Sequence, residues 1–109
     1  MEYDNCISVL NIIELKIQQK AAECHELVCI IHILHELVDK FKQDLACNRS
    51  AQPTLDREHI FSELVIELSI SETEMKILRY KKYHLRATSE LAHLENEKYI
   101  FHETALNLL

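Results

Sequence analysis

From Tyr3 to Asn48 the chain returns an apolar residue at alternating steps of three and four: Tyr3, Cys6, Leu10, Ile13, Ile17, Lys20, Cys24, Leu27, Ile31, Leu34, Val38, Phe41, Leu45, Asn48. Twelve of these fourteen positions are apolar or thiol, so one side of an α-helix would face a neighbour along its whole length, as in the heptads of a coiled coil. A helix over roughly residues 4–48 would be about 70 Å long at 1.5 Å per residue, longer than a globular core normally holds. The two exceptions have simple readings. Lys20 can lay its stem along the seam and reach water, and Asn48 belongs with the turn that follows.

Composition closes off the alternatives to helix. Glycine is absent and Pro53 is the only proline among 109 residues, so a β-rich fold with many tight reversals has no residues to build them. The chain is 48% hydrophobic and 28% charged, too apolar for a disordered segment. The net charge is −6, shared evenly between the halves, which repels phosphate backbones. Cys6, Cys24, Cys29 and Cys47 include no C-x-x-C pair and are expected to be free thiols, pointing to a cytoplasmic or nuclear address. The N-terminus carries acids where a signal peptide would carry bases, and the apolar run at 27–38 is too short to span a bilayer, so no membrane is expected as a partner.

That run, LVCIIHILHELV, is the most apolar in the chain, and its residues cannot all face one neighbouring helix. Ile7, Val9, Ile12, Val28, Ile30, Ile33 and Leu37 all lie off the seam and widen it. The segment from Asn48 to Thr54 reads as a loop, with Pro53 disfavouring helix at Gln52 and Thr54 placed to cap the next helix. A short connection between two long helices favours antiparallel packing, and a turn near residue 51 sets Leu34 near Ser69 and Cys24 near Arg79.

The second arm carries two rows. A seam at Phe61, Leu64, Leu68, Met75, Leu78 and Leu85 leads, and a neighbouring stripe at Ile66, Ile70, Ile77, Tyr80, Ala87, Leu91, Leu94, Phe101, Ala105 and Leu108 takes over toward the C-terminus. Two rows imply a second partner or a contact face that shifts along the helix. Ser69 to Glu72 has the weak helix formers and capping spacing of a break, which would add a third helix.

Two clusters have chemical potential. His25, Cys29, His32 and Glu36 fall in one row and are all of zinc-ligand type, but four groups strung over three turns give one ion at most three ligands, so another helix, through His84, or a second protomer would have to supply the rest. The reading preferred is a wet helix edge, with no metal and no cofactor. Lys76 to Arg86, KILRYKKYHLR, has five bases, two tyrosines and no acid; it can touch nucleic acid, yet pairing with acids such as Glu14, Glu23 and Glu26 on the facing helix fits the acidic total better. No nucleophile elbow, phosphate loop or paired carboxylate supports an enzyme.

The sequence therefore predicts an all-α single domain over residues 1–109, a long antiparallel helical hairpin with coiled-coil packing. Its expected role is non-enzymatic protein binding through Val28, Ile30, Ile33, Leu37, Ile66, Ile70, Ile77 and Tyr80, toward self or heterologous helices, as a homodimer or a subunit of a hetero-complex. Two alternatives are a small acidic chaperone that masks an amphipathic segment of a client, by analogy with secretion chaperones in size and charge, and nucleic-acid contact through 76–86.

Overall fold

The computed structural model describes residues 2–51 and 57–109. They form two long helices, α1 (Glu2–Ala51) and α2 (Arg57–Asn107), which pack against each other as an all-α hairpin. Glu2 and Asp4 in the first turn of α1 and Arg49 in its last complement the helix dipole, as does Glu58 at the start of α2. At the far end, Leu108 N reaches both Thr104 O and Ala105 O at 3.2 Å, and Leu109 N reaches Leu106 O at 3.3 Å. The last turn thus tightens and uses carbonyls that would otherwise be orphaned.

Helix α1 runs through Asn48, Arg49 and Ser50, so the loop expected from Asn48 does not start there. The expected break at Gln52–Pro53 and the cap at Thr54 lie outside the described residues. The break at 69–72 is absent, because α2 is continuous through it. The reason is local: the Ser69 hydroxyl donates to Val65 O at 2.9 Å and the Thr73 hydroxyl to Ser69 O at 2.7 Å. Each hydroxyl bonds back to the carbonyl four residues earlier and is satisfied without leaving the helix.

The contacts fall into two compact parts, Met1–Leu27 with Tyr83–Leu109, and Val28–Lys82. In the first, Ile13, Cys24 and Leu27 of α1 and Ala87 and Ala105 of α2 are buried. Lys98 pairs with Glu14, and Lys20 with Glu90 at 2.7 Å, across the two helices. In the second, Val38 and Ile77 are buried and line one groove between the helices; Lys42 approaches Glu74 at 3.9 Å, and Arg49 lies between Glu63 at 3.4 Å and Glu67 at 2.8 Å. Each buried Ile, Leu or Val side chain supplies about 1.5–3 kcal/mol.

These pairs fix the register. Their residue numbers add to between 110 and 116, where a turn at 51 requires about 103. Leu34 therefore does not lie opposite Ser69, nor Cys24 opposite Arg79. Helix α1 continues to Ala51, so the turn is not centred at residue 51.

Candidate functional site

The seam read along α1 is the face turned to α2. Ile13, Cys24, Leu27 and Val38 are buried, and the other positions from Cys6 to Asn48 are half-buried, Lys20 included. Lys20 Nζ sits 2.8 Å from Glu23 Oε2 and 2.7 Å from Glu90 Oε2. The hydrogen bond to Glu23, then that to Glu90, holds the ammonium above its ordinary range, and the same contact with Lys20 holds the Glu90 carboxyl below its own. A cation on an apolar seam is thereby retained by two carboxylates, one from each helix.

On α2 the two rows exchange roles relative to the sequence reading. Ile77 is 5% exposed, Thr73 is buried, and Ile66, Ile70 and Tyr80 are half-buried, so the second row is the one that meets α1. The leading row points elsewhere: Phe61, Leu64, Leu68, Met75 and Leu78 are between 55% and 68% exposed. It lies about half a turn round the helix from Ile66, Ile70, Thr73 and Ile77. Helix α2 thus has an apolar face on each side, and only one of them is covered by α1.

Of the eight residues expected to meet a partner, Val28, Ile33 and Leu37 are exposed and Ile30 is half-buried, whereas on the side of α2 turned to α1 Ile77 is buried and Ile66, Ile70 and Tyr80 are half-buried. The outward positions are instead those assigned to the internal seam. The spacing marks the row, since 61, 64, 68, 71, 75, 78 and 82 alternate threes and fours without interruption with five apolar residues among Phe61, Leu64, Leu68, Ser71, Met75, Leu78 and Lys82, but it does not say which of the two α2 rows faces outward.

The outward face of α1 has no equivalent. Cys29, His32, Glu36 and Gln43 occupy it and are exposed. His32 Nε2 is 3.0 Å from Glu36 Oε1, and among the described residues no group of three or more His, Cys, Asp or Glu side chains is placed to hold a metal ion. The row of possible ligands is the solvent side of a helix.

The basic segment is also placed differently. Among the described residues, ion pairs between the helices engage Lys20, Lys42, Arg49 and Lys98, while none engages Lys76, Arg79, Lys81 or Lys82. Glu14 pairs with Lys98 and Glu23 with Lys20, so neither serves the 76–86 segment. Met75, Leu78, Arg79 and Lys82 border one shallow surface hollow, which brings free cations to the edge of the outward apolar row. No helix among the described residues is long and apolar enough to cross a membrane. Compared with protein-family models, with curated proteins and with solved structures, the chain has no match in any of the three.

Proposed function

We propose that the chain is a non-enzymatic protein-binding module that packs, coiled-coil fashion, against a further helix laid along the outward face of α2. The observation that carries this reading is the exposed row Phe61, Leu64, Leu68, Met75 and Leu78. Its spacing is that of a helix-packing seam, and five large apolar groups in line on a surface mark an association site. The balance of the 28–82 part supports it. Among the described residues there, two hydrophobic ones, Val38 and Ile77, are buried, against ten large ones exposed: Val28, Ile33, Leu37, Ile60, Phe61, Leu64, Val65, Leu68, Met75 and Leu78. A pair of helices buries one stripe of each; a third or fourth helix is the ordinary way to bury the rest.

The test is light scattering across a concentration series with circular dichroism on the same samples, comparing the wild type with Leu68→Glu/Leu78→Glu. Both positions are more than half exposed, so the variant is expected to keep its helix content. The expected result is an associated wild type and a monomeric variant of 12.8 kDa. A wild type that stays a fully helical monomer and binds no helical partner contradicts the proposal.

A further inference from the structure

Building on that reading, we infer that the helix covering the outward row is α2 of a second copy, packed antiparallel about a two-fold axis near residue 73. The row is the first ground. Positions 64, 68, 71, 75, 78 and 82 read the same in either direction, so reversing one copy sets Leu64 over Lys82, Leu68 over Leu78 and Ser71 over Met75 of the other, with each layer repeated by symmetry. Each apolar residue from Leu68 to Leu78 then meets an apolar or small one. At the edge, the long stem of Lys82 covers Leu64 while its ammonium reaches water.

Charge is the second ground and chooses the direction. Between Arg57 and Glu74 the helix has five acids and one base; between Met75 and Lys82 it has four bases and no acid. Within the hairpin Arg49 and Lys42 offset part of the acidic half, while Lys76, Arg79, Lys81 and Lys82 make no ion pair among the described residues. An in-register parallel copy would lay these cations on one another. The antiparallel copy instead sets Arg79 and Lys81 beside Glu67 of the other, and opposed charges flanking a helix seam are what set orientation. A nucleic acid would use the cations but leave the apolar row wet, and the net charge of −6 opposes it.

The experiment is disulfide trapping in the full chain with Cys6, Cys29 and Cys47 replaced by Ser. Variants L64C and K82C are purified separately, mixed under mild oxidation and scored by mass. Residues 64 and 82 of one helix are about 27 Å apart at 1.5 Å per residue, so the antiparallel dimer gives the mixed L64C–K82C product almost exclusively. Predominant L64C–L64C product overturns the antiparallel arrangement while leaving self-association intact. No product from a wild type that is monomeric, yet binds a foreign amphipathic helix along the row, overturns the second copy as occupant and leaves the helix-binding function standing. If neither product nor helix binding is found, both readings fall.

Discussion

At the scale of single residues, the closest approach of the two helices depends on small side chains. Ala87 is 2% exposed and Ala105 3%, so their burial leaves no room for added methylenes. Ala87→Leu is expected to lower stability by about 1–3 kcal/mol in urea denaturation, whereas Ala92→Leu, at an exposed position, stays within about 0.5 kcal/mol. Lys20 and Glu90 make a second residue-scale prediction. The Glu90 carboxyl is held below its ordinary 4.5, so its contribution to stability is complete above that pH and is lost as pH falls through the folded value. The Lys20 ammonium is held above 10.5, so its contribution is complete below that pH and is lost only as pH rises beyond it. The Tm difference between wild type and Glu90→Gln should be constant from about pH 6 to about pH 9 and shrink in acid. A difference unchanged down to about pH 3 would show that the pair does not contribute.

At the scale of the helix, α1 was legible residue by residue and α2 was not, for a physical reason. The α1 seam is built chiefly of Leu, Ile, Val, Phe and Cys in an unbroken alternation of threes and fours, whereas the exposed off-seam hydrophobics Ile7, Ile12, Leu15, Val28, Ile33 and Leu37 form no such run, so spacing identifies the buried face. In α2 the face turned to α1 is the less apolar one near its start: His59, Glu63 and Thr73 are interleaved with Ile66, Ile70 and Ile77, and His84 and Ala87 follow. The bulkier row of Phe, Leu and Met is the one left outside. Apolar content ranks the two rows in the wrong order; what decides between them is which row matches α1 in size and charge, and spacing does not reveal that. Of the residues named for partner binding, Val28, Ile33 and Leu37 were legible as lying off the seam, whereas those named on α2 lie on the side turned to α1. Ser71 is an exposed position on the outward row, so Ser71→Leu adds an apolar group there and leaves the hairpin unaltered. It is expected to tighten self-association several-fold in a dilution series monitored by sedimentation, without changing the helix content of the dissociated chain. Unchanged association would place Ser71 outside the interface.

At the scale of the whole molecule, two helices supply one covered stripe apiece, and the apolar content of this chain exceeds what two stripes take up. In the 28–82 part, among the described residues, seven of the ten large exposed hydrophobics lie on α2 and three, Val28, Ile33 and Leu37, on α1. Met75 lies in the middle of the outward row and is 60% exposed in the single hairpin, and apart from Met1 it is the chain's only thioether, so its oxidation reads the state of that face. The most direct measurement is the rate of Met75 sulfoxide formation under dilute peroxide, followed by peptide mass, for wild type and for Leu68→Glu/Leu78→Glu at the same concentration, each against the urea-unfolded chain. A row covered by another helix predicts a wild-type rate at least about five-fold below that of the variant, with the gap closing on dilution, since one or two kcal/mol of protection corresponds to that factor. Equal rates in wild type and variant, both near the unfolded value, would show the outward face open to water and contradict the account.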